Sequence, residues 1–88
     1  MDVNKQIEYW VKTAEESLLD AESLISTKRY LFALFCCHLT IEKILKAHVV
    51  KHTQEIPLKT HHLLNLLKKT EIIINDDDKL FLGELMEY

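Results

Sequence analysis

One glycine and one proline occur in 88 residues. That scarcity excludes most of what a β-sandwich or barrel needs at its turns, and it points to an all-helical chain. Gly83, the only glycine, has no neighbour with which to build a Gly-rich phosphate loop, so Walker and dinucleotide-binding chemistry are excluded. The only two cysteines, Cys36 and Cys37, are adjacent, a spacing that rarely meets disulfide geometry; no disulfide framework exists and a reducing compartment fits best. The longest uncharged run, Tyr30 to Ile41, is 12 residues, short of the roughly 20 that span a bilayer. With no apolar stretch near the N-terminus either, the chain reads as soluble and cytoplasmic, with no membrane partner. Its length suits one domain over residues 1–88, and 48% hydrophobic residues is too apolar for a disordered tail.

Charge is unevenly spread within a net −3: residues 43–69 carry six lysines against Glu55 alone, for +5, and the remainder is −8. A basic middle between acidic ends permits a local anion site without general nucleic-acid affinity, and DNA is not an expected partner. The competing reading is that these lysines solvate exposed helix faces.

Apolar residues at steps of three and four from Ile7 through Trp10, Ala14, Leu18 and Ala21 to Ile25 predict an amphipathic helix over about residues 4–26, capped by Asp2 or Asn4. A polar break at Ser26–Lys28 precedes a second helix to about His52, the two forming a long antiparallel hairpin. The second helix carries two apolar stripes. Leu34, Cys37, Ile41 and Leu45 are assigned to the core; Phe32, Phe35, Cys36, Leu39 and Val50 are assigned to a second subunit, so a homodimer is expected. Pro57 stops the helix, Thr60 reads as the N-cap of a third helix over about His61 to Lys69, residues 71–75 are a link, and Asp76–Asp78 lead into a fourth helix over Lys79–Tyr88. The architecture expected is an up-and-down four-helix bundle, its last helix cut short at residue 88.

Four of the five histidines fall between positions 48 and 62. His48 and His52 stand four apart, but without the Glu of a zinc-hydrolase motif they read as structural, and no metal or cofactor is expected. Cys37 beside His38 reads as a buried thiol, the Asp76–Asp78 run as helix capping, and Glu42 with Lys46 as a surface pair one helical turn apart.

Taken in order, Trp10 with Ala14, Leu18 and Ala21, then Arg29-Tyr30, Ile41-Glu42-Lys43-Ile44-Leu45-Lys46-Ala47, Ile56-Pro57 and Thr60-His61-His62-Leu63 resemble the HEPN family, the higher-eukaryote and prokaryote nucleotide-binding domain. The family commonly shows Glu-Lys-x-x-Lys, a Pro-containing loop, and Thr-His followed by Asp or Asn; His62 stands in place of that last residue. The resemblance implies a dimeric helical domain, often paired with a minimal nucleotidyltransferase in a two-component, toxin–antitoxin-like module. It also implies nucleotide or RNA binding, for which Lys43, Lys46, His61 and His62 are the candidate contacts, with free amides of the third helix beyond Thr60 as further donors. Some branches of the family are metal-independent ribonucleases with an Arg and a His a few residues apart. Arg29, the only arginine, has eight residues between it and His38, so that motif is missing within these 88 residues. A ribonuclease remains the alternative, with His61 or His62 as acid–base and Arg29 or a lysine stabilising charge.

Overall fold

The computed structural model describes residues 1–88 as four helices without strands: α1 (Val3–Ser26), α2 (Tyr30–Thr53), α3 (Leu63–Thr70) and α4 (Asp76–Leu85). It is the expected all-α bundle around a long hairpin. α1 and α2 are 24 residues each, about 36 Å at 1.5 Å per residue, and they set the 40 Å long axis. No helix is long and apolar enough to cross a membrane.

α2 is the shared element. α1 packs on one side of it and α3 and α4 on the other, while α1 touches neither short helix. Two covered sides explain why α2 is apolar nearly all round, whereas a surface helix is apolar on one stripe. Leu45 and Val49 join Leu63, Leu66, Leu67, Leu82 and Leu85 in the main core, with Leu34, Cys37 and Ile41 packed at its edge. The stripe assigned to the core is therefore in it. On the other side the α1–α2 contact is made of small residues, Ala14, Ser17 and Ala21 facing α2 residues that include Ala33 and Ala47, all buried. Small side chains let the two axes approach closely, and Leu18 and Ile25 at the margin of α1 stay about half exposed.

The stripe assigned to a second subunit divides. Cys36, Lys43 and Val50 are seven residues apart and share one face, and Lys43 donates to Ser17 Oγ of α1 at 2.9 Å. Cys36 and Val50 are accordingly buried by this chain's own α1, at 5% and 0% exposure, and are not available to a partner. Phe32 and Phe35 remain exposed and meet edge to face at 5.7 Å, while Leu39 is half-buried. Burial pushes the Cys36 thiol up from its ordinary range, with Asp20 and Cys37 adding to the effect and Lys43 opposing it. A thiol so held is a packing group, not a nucleophile.

Caps set the helix limits. Asp2 accepts from Lys5 N at 3.1 Å, and Asn75 from Asp78 N at 2.8 Å, which places Asp76–Asp78 inside the first turn of α4 against its positive dipole end. α1, α2 and α3 each hand over to a non-glycine residue in the left-handed region: Lys28, Gln54 and Glu71, with φ near 60°.

Candidate functional site

Three polar residues stand at four-residue steps on α2, His38, Glu42 and Lys46, and all three are buried. Burying a carboxylate costs several kcal/mol unless it is paired and hydrogen-bonded, and here both oxygens are engaged. Lys46 Nζ donates to Glu42 Oε2 at 3.1 Å, and His61 Nδ1 donates to Oε1 at 2.7 Å. The Lys46 ammonium also lies 5.1 Å from the centroid of the Trp10 ring on α1, within cation–π range. The expected surface pair is therefore an internal one: Glu42 and Lys46 side chains are 4% and 8% exposed. α1 covers the lysine and the loop before α3 covers the carboxylate.

His38 ties down the same loop. Its Nε2 lies 3.0 Å from the His61 carbonyl oxygen and its Nδ1 lies 3.2 Å from that of Leu85 at the end of α4. A carbonyl only accepts, so each nitrogen must donate to be satisfied, and a neutral ring carries one N–H. Glu42 Oε1, 3.6 Å from Nε2, places negative charge beside this ring. His61 is thus gripped twice from α2, at its carbonyl by His38 and at its ring by Glu42, although its side chain is 80% exposed.

The next residue, His62, is the actual N-cap of α3: its Nδ1 accepts from Asn65 N at 3.2 Å. Thr60 caps nothing in the helix; its hydroxyl accepts from His62 N at 3.1 Å. Of the amides beyond Thr60 expected to be free for an anion, Leu63 N is directed to Met86 Sδ, Asn65 N to the His62 ring and Leu66 N to the His62 carbonyl. Those donors are spent on the fold.

A surface pocket of about 350 Å³ opens beside these groups. His38, Glu42, His61 and His62 form its polar side, and Phe35, Leu39, Met86 and Tyr88 its apolar side. A larger depression of about 740 Å³ at the start of α2 shares Phe35 and Tyr88 with it and adds Lys28 and Arg29. That depression holds no buried polar residue, and the smaller pocket carries the chemistry. Of the four candidate contacts, His61 and His62 line the pocket; Lys43 is turned to Ser17 and Lys46 lies behind Glu42, and neither reaches it. His48 is exposed on α2 and His52 stands 3.5 Å from Glu71, so the histidines do not converge, and no group of three or more metal-ligating side chains forms. Sequence reasoning missed Glu42 and His38. The signal was present as the only polar residues recurring every four positions through the middle of an apolar helix.

Neither a curated protein nor a solved structure matches the chain. The family model described as HEPN domain matches residues 7–88, a span that takes in the α2 polar stripe, the His61–His62 loop and all of α3 and α4, and the chain therefore belongs to the HEPN domain family.

Proposed function

We propose that this chain is a small dimeric HEPN protein that binds a nucleotide or RNA in the pocket beside His61 and His62, and that works with a minimal nucleotidyltransferase in a two-component module of the toxin–antitoxin kind. Family membership supports a nucleotide- or RNA-related function in general. The observation that carries the pocket assignment is His61: an exposed side chain oriented by a buried carboxylate, beside an aromatic wall of Phe35 and Tyr88 suited to stacking on a base. Calorimetry at low salt with mononucleotides and short RNA tests it. Binding that weakens in His61→Ala and His62→Ala is the expected result, and no binding by the folded protein removes the assignment. The exposed Phe32–Phe35 pair with Tyr30 and Leu31 supports a homodimer through the start of α2, and sedimentation of Phe32→Asp, expected to be more monomeric than wild type, tests that face. Co-purification with a minimal nucleotidyltransferase tests the partner.

A metal-independent ribonuclease is the second reading, favoured by the 2.7 Å Glu42–His61 bond, which has the orientation of a general base held by a carboxylate. Arg29 stands at the N-cap position of α2, thirteen residues from Glu42, or about 20 Å along the helix, and is not among the residues lining the His61 pocket. Labelled RNA incubated with EDTA distinguishes the readings, cleavage lost in His61→Ala being the result for the enzyme.

A further inference from the structure

The hydrogen bonds that fix the two pocket histidines also fix which of their free nitrogens donates and which accepts. His61 Nδ1 faces a Glu42 oxygen at 2.7 Å. The other Glu42 oxygen is held by Lys46 at 3.1 Å, so the carboxylate is ionised and can only accept. The proton of the neutral His61 ring is therefore on Nδ1, and Nε2, which has no protein partner, presents a bare lone pair. His62 is the reverse. Its Nδ1 accepts from the backbone N–H of Asn65 at 3.2 Å and so carries no proton, which leaves Nε2–H as a donor. Two adjacent histidines that look equivalent in sequence thus offer opposite hydrogen-bonding ends to one pocket, and neither can exchange roles without giving up a bond that holds the loop.

An acceptor and a donor among the lining of one pocket do not describe a bare-anion site, because an anion would meet the His61 lone pair. They describe a ligand that brings a hydroxyl and an acceptor oxygen on adjoining atoms. Resting on the nucleotide-pocket reading above, we infer that His61 Nε2 accepts a hydrogen bond from a ribose 2′-hydroxyl, with His62 Nε2–H donating to a neighbouring sugar or phosphate oxygen. His61 is then the residue by which the protein takes ribonucleotides and RNA in preference to their deoxy counterparts, since the 2′-hydroxyl is the group that separates them. Preorganisation favours this role: the ring is 80% exposed, yet its Nδ1 is held by Glu42 at 2.7 Å, so less ordering remains to be done on binding.

The test compares one short RNA with 2′-deoxy, 2′-O-methyl and 2′-fluoro versions of the same sequence, by calorimetry at about pH 8, for wild type and His61→Ala. The last two replacements keep an electronegative atom at the 2′ position but remove the donor. The expected result is that all three bind the wild type about tenfold more weakly than RNA, the scale of one hydrogen bond, and that His61→Ala binds all four alike. Full affinity for the 2′-fluoro oligomer would mean that no donor is needed at the 2′ position, and would overturn the inference. So would a preference for RNA that survives in His61→Ala, or equal binding of all four by the wild type. In each of these cases the pocket still binds a nucleic acid, whereas binding of none of the four by the folded protein refutes the pocket reading itself.

Discussion

Replacing Glu42 should be among the most damaging single changes in the chain. At 3.1 Å and an effective dielectric near 20, its attraction to Lys46 is worth about 5 kcal/mol before desolvation is counted. Desolvation offsets much of that in the intact pair, but not when one partner is deleted, because an ammonium 8% exposed is then left without a counter-charge. Removing one member of such a pair costs about 3–5 kcal/mol, against a total of roughly 4–13 kcal/mol for a domain of this length. Glu42→Gln is informative because it keeps the shape: its amide can accept from His61 or from Lys46 through its oxygen, but must turn an N–H₂ toward the other donor. Urea denaturation of Glu42→Gln, Lys46→Met and the double variant forms a cycle in which the double should be far less destabilised than the two singles combined, with a coupling of about 2 kcal/mol or more. If the effects add to within about 0.5 kcal/mol, the pair is not the buried unit that the geometry indicates.

Gly83 lies inside α4, and a Cβ there would meet nothing within 4 Å; Gly83→Ala should stabilise by about 0.5–1 kcal/mol, read as a thermal midpoint higher by a few degrees. Because Cys36 is buried and its thiol is pushed up while Cys37 is only half-buried, a thiol reagent should modify Cys37 well before Cys36, and equal rates in the folded protein would contradict the packing. The same shift has a pH consequence. The unfolded thiol ionises first as pH rises, so Cys36 contributes stability at neutral pH that is lost on going alkaline through its raised folded value, and Cys36→Ala should flatten the alkaline limb of a stability–pH curve.

The fold was legible because the signals that define it are periodic or local. Steps of three and four mark α1, the apolar spacing separates the core stripe of α2, and Pro57 and the polar break at Ser26–Lys28 coincide with real interruptions. What could not be read is how many sides of α2 are covered. Periodicity states which residues share a face, and says nothing about whether that face meets solvent, a partner or the chain's own α1. Cys36 and Val50 were misassigned for this reason, and so was the Glu42–Lys46 pair, since one-turn spacing of opposite charges reads the same on a surface as in an interior. The α3 cap failed differently. Thr60, His61 and His62 all precede the apolar run, and histidine is not among the favoured N-caps, yet Met86 and the grip on His61 set the chain so that the His62 ring, not the Thr60 hydroxyl, meets the first turn.

The α2 polar stripe joins segments that otherwise share little: Lys46 reaches Trp10 of α1, Glu42 and His38 hold His61, and His38 also meets the Leu85 carbonyl. An apolar replacement of similar volume often matches a buried ion pair in stability, so stability alone gives no reason to keep charges here. Orientation does. Methionine at position 42 could fill the space, but it could not accept from His61 Nδ1 or hold that ring in one tautomer. A Glu42→Met/Lys46→Leu variant should therefore denature near the wild-type urea concentration and yet show a changed His61. Ring ¹⁵N shifts should report Nδ1–H alone in the wild type and a mixture with the Nε2–H form in the variant. Unchanged His61 shifts in a folded variant would show that the loop backbone, through His38, places the ring without Glu42, and the stripe would then be a packing device and not a positioning one.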